Sequence, residues 1–164
     1  MYISSDTNVW IDFHEIGHLD HPFRLDFAYF ISRDTFRDEF IKSESMRTSL
    51  LNLGLQLADV TDDEFMLAIS YQSRYAELSL YDSFALAIAK TRDWTLLTGD
   101  MPLRKAATKE GVEVHGTIWV YDKLKEQGKM TEDEYENVIS ELIEAVKTGK
   151  CRLPIAELTK RKRV

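Results

Sequence analysis

Four carboxylates stand apart from the other acids of this chain because each sits where one structural element gives way to the next. Asp6 follows Tyr2-Ile-Ser-Ser5, and Glu39 lies at the end of Thr35-Phe-Arg-Asp-Glu39. Asp82 opens the run to Lys90, and Asp100 closes Leu96-Leu-Thr-Gly-Asp100. Acids brought together repel one another and resist sharing a site without a cation. Hard divalent cations take oxygen ligands, and Mg²⁺ typically combines a few carboxylates with several waters. A metal held in this way lowers the pKa of a bound water and neutralises charge on a phosphate. The chemistry expected of the set is therefore phosphodiester hydrolysis. Each acid also has a local explanation. Asp6 suits a turn, Asp82 suits a helix N-terminus through the dipole, and Asp100 suits an N-cap before Pro102. Glu39 shares a solvated helix face with Asp38 and has Glu44 nearby. The signal lies in the set.

The elements that must position these acids follow from pattern. Tyr2–Ser5 reads as a strand, with Val9–Phe13 either continuing it or opening a helix. His14–Leu25 reads as a helix weakened by Pro22, and Ala28–Ser32 as a buried strand. Thr35–Asp38 resembles a helix start, which puts Glu39 in the first turns. Leu53–Val60 reads as a strand. Thr61-Asp-Asp-Glu64 and Thr131-Glu-Asp-Glu134 have the capping-box pattern, so helices follow both. Further helices are expected over 81–90, from Pro102 to Lys109, and over 117–126, with strands over 94–97 and 112–114. Gly111, Gly128 and Gly149 stand where helices should stop. Strands alternating with helices predict an α/β fold, a three-layer sandwich with a mainly parallel central sheet. Such sheets bind ligands beyond the carboxyl ends of their strands, at a topological switch point. The four acids can converge there.

Composition sets limits on this reading. The chain has 164 residues, 44 % of them hydrophobic and 30 % charged, enough for one packed domain. Residues 1–150 are expected to form it, and 151–164 a basic C-terminal tail carrying Lys160-Arg-Lys-Arg163. No transmembrane span, signal peptide or lipidation signal is read. A single cysteine, Cys151, permits no intrachain disulfide and suits a reducing cytoplasm. The net charge of −7 argues against a general nucleic-acid coat protein. It does not argue against a nuclease whose cations, rather than its side chains, meet the phosphate.

The motifs resemble those of PIN domains. Ile3-Ser-Ser-Asp-Thr-Asn-Val-Trp-Ile11 is similar to their opening strand, with Asn two positions after an Asp. Tyr81-Asp-Ser-Phe-Ala-Leu-Ala-Ile-Ala89 resembles their Asp-leading helix, and Leu96–Asp100 with Leu103–Ala107 their third acidic segment. Arg37-Asp-Glu-Phe40 is similar to the segment bearing the family Glu, and Val114–Ile118 to a common strand-to-helix exit. The resemblance covers roughly residues 1–125 and rests on four motifs in order. It implies that Asp6, Glu39, Asp82 and Asp100 ligate Mg²⁺ or Mn²⁺, with Asn8 and Thr98 as polar supports. It also implies cleavage of single-stranded or structured RNA and a homodimer. Many small bacterial members are VapC-like toxins of type II toxin–antitoxin pairs, held inactive by an antitoxin protein. This chain is longer than that compact pattern. A non-catalytic nucleic-acid or protein binding module on the same fold is the alternative, and the acids alone do not distinguish RNA from DNA.

Other features carry less. Arg104 and Lys105, just after Asp100, are candidates for phosphate contact. His14, His18 and His21 could share a helix face, but Pro22 and the lack of a Cys partner favour a surface position over zinc. Trp10, Trp94 and Trp119 lie in apolar runs and read as core. The basic run 160–163 reads equally as a phosphate or acidic-partner contact and as a solvated tail. A phosphoacceptor receiver domain would need paired acids after the first strand and a Lys after the last, and neither is present.

Overall fold

A computed structural model describes residues 1–40 and 43–163. Five strands, β1 (Tyr2–Ser5), β2 (Ala28–Ser32), β3 (Gln56–Ala58), β4 (Thr95–Leu97) and β5 (Val114–His115), form one sheet. Every pairing is parallel, and the spatial order is β3-β2-β1-β4-β5. From β1 the chain builds outward through β2 and β3, then returns to the other side of β1 with β4. The order therefore reverses between β1 and β4, which makes the carboxyl ends of those two strands the switch point. Ser5 pairs with Leu97, and the Asp6 N–H donates to the Leu97 carbonyl at 3.2 Å. That register sets Asp6 beside Thr98.

Helices cover both faces, as a parallel sheet requires. They are α1 (Thr7–Glu15), α2 (Arg33–Glu39), α3 (Glu44–Leu53), α4 (Asp62–Arg74), α5 (Leu80–Arg92), α6 (Met101–Lys109), α7 (Thr117–Glu126), α8 (Glu132–Lys147) and α9 (Ile155–Arg161). Strand alternation divides the core in two. Ile3, Ile31 and Leu97 pack with Trp10, Phe13, Leu50, Tyr121 and Leu142 on one face. Leu96 packs with Tyr71, Leu86, Ala87 and Leu103 on the other. Ser4 also faces that second side, and its hydroxyl donates to the Ala85 carbonyl at 2.8 Å. A small residue there, opposite the alanine-rich α5, lets helix and sheet approach closely. The result is the three-layer α/β sandwich with a parallel centre.

Several local expectations need correction. The helix expected over His14–Leu25 is absent. α1 opens at Thr7 under an Asp6 cap and ends at Glu15, and Gly17 takes a φ of +74°. Glycine tolerates that left-handed backbone, so the chain turns. A short 3-10 turn over His21–Arg24 follows, with Pro22 inside its start. The strand expected over Leu53–Val60 shrinks to Gln56–Ala58, because α3 runs to Leu53 and Gly54 turns the chain with a φ of +121°. Glu39 closes α2 rather than opening it, since the Ser32 hydroxyl caps that helix by accepting from the Thr35 N–H. The segment from Cys151, read as an aperiodic tail, contains α9, which buries Leu158. Val164, the last residue of that segment, lies outside the described residues.

The basic run is held by acids of the same chain. Arg161 donates to both Asp122 oxygens, Lys160 pairs with Glu157, and Arg163 pairs with Glu132. Among the described residues no helix is long and apolar enough to cross a membrane.

One buried pair contributes strongly to the second core. The Glu64 carboxylate is 2 % exposed and accepts from Arg92 Nε and Nη2 at 2.8 and 2.9 Å, from Thr91 Oγ1 and from the Thr61 N–H. Burial opposes its charge, but these donors outweigh that and hold the carboxyl at about 2. Arg92→Ala leaves the carboxylate buried without its cation, a change that costs about 3 kcal/mol. Melting followed by circular dichroism should fall by roughly 6–12 °C. Arg33→Ala, which breaks the exposed Arg33–Asp59 pair, should move it by no more than ~1 °C. The Glu64 contribution is complete above the unfolded value of about 4.5 and fades as pH falls through 2.

Candidate functional site

Three of the four acids are fixed by the helices they start. Asp6 is the N-cap of α1, its Oδ1 accepting from the Asn8 N–H at 2.5 Å. Asp100 is the N-cap of α6, its Oδ2 accepting from the Leu103 N–H at 3.1 Å. Asp82 stands at the third position of α5 in a capping box with Ser79, its Oδ2 accepting from the Ser79 N–H at 3.0 Å. The local explanations of Asp82 and Asp100 therefore hold, and each cap engages one carboxylate oxygen. Thr98 joins the strands' ends. Its hydroxyl donates to Asp6 Oδ2 at 2.5 Å and accepts from the Asp100 N–H at 3.0 Å. One side chain thus sets the spacing of two acid-bearing segments across the switch point.

Glu39 comes to the same place from the end of α2. Its neighbour Asp38 is engaged elsewhere, by Arg37 Nε at 2.8 Å and the Tyr81 hydroxyl at 2.6 Å, and those partners hold its carboxyl below the usual range. Glu44 is exposed at the start of α3. Glu39 lies beside the Thr7 hydroxyl, close enough for that hydroxyl to favour its charge. The contact falls short of a normal hydrogen bond, and Thr7 Oγ1 is buried without a partner among the described residues.

The four acids feel one another. Asp6 is 4 % exposed, and burial, with added repulsion from Asp82 and Glu39, pushes its carboxyl up to about 7. Burial and repulsion from Asp82 raise Glu39, and burial and repulsion from Asp100 raise Asp82. No three of the four bring ligand oxygens within 4.8 Å of one another; among the described residues the group that does so is His18, Asp20 and His21. Its two imidazoles are stacked, with centroids 4.1 Å apart and planes 7° from parallel. Parallel rings aim their in-plane lone pairs side by side, so a shared ion would require one ring to turn. His18 instead meets Glu141 at 2.7 Å and His21 meets the Tyr121 hydroxyl at 3.0 Å. His14 is exposed and outside the group.

The walls of the cleft include residues with no motif in the sequence. A cavity of about 270 Å³ is lined by Asn8, Asp12, Gly99, Asp100, Lys150 and Arg152. Asp12 is buried behind it, accepting from Thr117 Oγ1 at 3.1 Å, and burial pushes its carboxyl to about 6. The only signal of Asp12 in the sequence is an acid within the apolar run Val9–Phe13. Arg104 is partly buried, its Nη1 donating to the Thr98 carbonyl at 3.0 Å. A Cβ on Gly116 would lie 2.8 Å from that nitrogen, so glycine makes room for the guanidinium. Lys105 is exposed and lines clefts with Lys109 on another side of α6, not those that contain Gly99. Trp10 is fully buried as expected, whereas Trp94 and Trp119 are only partly buried.

A family model described as PIN domain matches residues 2–161. The chain belongs to the PIN-domain family. No curated protein and no solved structure gives a match to it. The match extends beyond the motifs at 1–125, through α8 and α9, so the C-terminal segment that lines the cleft lies within the PIN-domain match. PIN domains are in general nucleases, and the parallel sheet with its acids at the switch point is the framework such chemistry needs.

Proposed function

We propose that this PIN domain is a metal-dependent endoribonuclease that hydrolyses RNA phosphodiester bonds with Mg²⁺ or Mn²⁺. The observation that carries the reading is the Thr98 hydroxyl joining Asp6 and Asp100 at the switch point, with Asp82 and Glu39 electrostatically coupled to them. The donors fit a hard cation. All are oxygens, Asp82 and Asp100 each retain an oxygen that their caps do not use, and the Asp6 carboxyl, pushed up to about 7 by burial and by the neighbouring acids, would be relieved by a positive charge. Carboxylates coupled without close contact suit an ion that keeps several waters.

Asp6, Asp82 and Asp100 would hold the main ion and Glu39 a second ion or the attacking water. When bound, such an ion acidifies water and offsets charge on the scissile phosphate. The chain's own groups do the rest. Thr98 fixes Asp6, Glu39 with its raised pKa takes a proton from water at its carboxylate, and the Arg104 guanidinium meets a phosphate oxygen. Asn8, whose backbone N–H holds Asp6, offers its exposed side chain to the cleft. The finer reading is a type II toxin silenced by an antitoxin that brings a basic side chain to these acids. It rests on the likeness to VapC-like members, as does the homodimer, while a cytoplasmic location is supported by the single cysteine. Exposed Phe65, Met66 and Ile69 on α4 are apolar surface a dimer could cover.

The test is cleavage of labelled single-stranded and hairpin RNAs, and of a DNA of the same sequence, in Mn²⁺, Mg²⁺ and EDTA. RNA cutting that needs metal and is lost in Asp82→Asn is expected. Cutting that persists in EDTA or in the variant contradicts the assignment. No cutting in either metal favours the binding-module alternative.

A further inference from the structure

Beside the acids lies a second, larger cavity of about 650 Å³, within the size range of small-molecule sites. It meets the smaller cavity at Gly99 and Arg152, which line both. Its apolar side is formed by Ile118 and Leu153, with the aromatic pair His115 and Trp119, whose rings stack 4.2 Å apart and 6° from parallel. Arg104, Arg152 and Arg161 line it together with Asp122 and Glu157, and Arg161 is neutralised by those two acids, which leaves Arg104 and Arg152 as its uncompensated cations among the described residues.

Charge says what such a cavity is for. The chain is acidic by seven charges, and the basic run at its end is tied to Asp122, Glu157 and Glu132. Among the described residues, Arg104, Lys150 and Arg152 have no carboxylate within ion-pair distance, and all three line one or both of these joined cavities. Gly116 keeps the Arg104 guanidinium in place by lacking a Cβ. Uncompensated guanidiniums beside an apolar, aromatic wall match a ligand that is flat and apolar at one end and anionic at the other. A nucleotide has that form, with a π-face on its base and charge on its phosphate. A base inside a duplex cannot present it, because the stack hides the face.

We propose that this cavity binds one unpaired nucleotide of the RNA substrate, its base in the apolar half and its phosphate on Arg104 and Arg152. The C-terminal segment therefore contributes to substrate choice, selecting single-stranded RNA next to the scissile bond. This rests on the nuclease reading, but the binding site can be tested without cleavage.

The experiment titrates the full chain in EDTA with each of the four nucleoside 5′-monophosphates, and separately with inorganic phosphate. The indole N–H resonances of Trp119 and Trp10 are followed by NMR. At least one nucleotide should shift the Trp119 signal and leave that of Trp10, which is buried and bonded to Ser5, in place. Phosphate alone should leave the Trp119 signal unmoved. Arg152→Ala, at an exposed position that leaves the core intact, should weaken nucleotide binding roughly tenfold. Arg33→Ala, which breaks only the exposed Arg33–Asp59 pair, should bind nucleotide as wild type does. A Trp119 signal that no nucleotide moves, equal binding of phosphate and nucleotide, or full affinity in Arg152→Ala overturns the proposal. RNA cleavage without nucleotide binding defeats this inference and spares the nuclease. Nucleotide binding without cleavage under any metal supports the site and counts against the nuclease.

Discussion

Asp6→Asn raises the melting temperature of the metal-free protein at pH 8 by about 5 °C or more. Folding buries this carboxyl and lifts its pKa from 3.8 to about 7. Between those values the folded chain holds a proton that the unfolded chain has released. The stability this proton confers is complete below the unfolded value, declines as pH rises and is gone above the folded one. Ionising Asp6 in place at pH 8 therefore costs on the order of 4 kcal/mol. Asn removes the charge and still caps α1, since Asn and Asp cap about equally well. The amide loses the hydrogen bond that Thr98 donates, worth about 1 kcal/mol, so the charge decides the sign. Calorimetry in EDTA from pH 5 to 8 should show wild type losing stability as pH rises and the variant changing less. Adding Mn²⁺ should restore the wild type and leave the variant unmoved. A variant less stable than wild type at pH 8 without metal would contradict the account.

The second large effect is on turnover. Asp100→Asn and Asp82→Asn should each lower RNA cleavage in Mn²⁺ by roughly 10³-fold, the equivalent of about 4 kcal/mol of transition-state stabilisation. Each amide keeps the oxygen that the helix start uses, from the Leu103 N–H or the Ser79 N–H, so the fold is expected to persist. Loss of activity with melting within a few degrees of wild type separates the ligand role from the capping role. Glu39→Gln should also lose cleavage while keeping tighter metal binding than Asp6→Asn. Wild-type turnover in Asp100→Asn, measured by single-turnover gel assay, would remove that residue from the site.

What the sequence reveals and what it hides follow one physical division. Asp6, Asp82 and Asp100 are legible because each starts a helix, and cap residues next to apolar periodicity form a local pattern. Glu39 falls at the end of its helix rather than in the first turns because Ser32 both ends β2 and caps α2, which moves the helix start ahead of Thr35. α3 buries only Met46 and Leu50 among many polar residues, too weak a period to detect. α9 is anchored by Leu158 and by Arg161 on Asp122, a partner 39 positions away that no local window contains. Arg152 and Lys150 reach the cleft through that same long-range packing, so nothing in their neighbourhood in the sequence marks them. Gly116 looks like an ordinary turn glycine until the Arg104 guanidinium is seen against it.

The most direct test of the central claim is to locate Mn²⁺ by anomalous diffraction in crystals of the wild-type protein soaked at pH 8. A peak is expected among Asp6, Asp82, Asp100 and Glu39 that disappears in Asp6→Asn. A peak at His18, Asp20 and His21 alone, or no peak at the acids at saturating Mn²⁺, would contradict it.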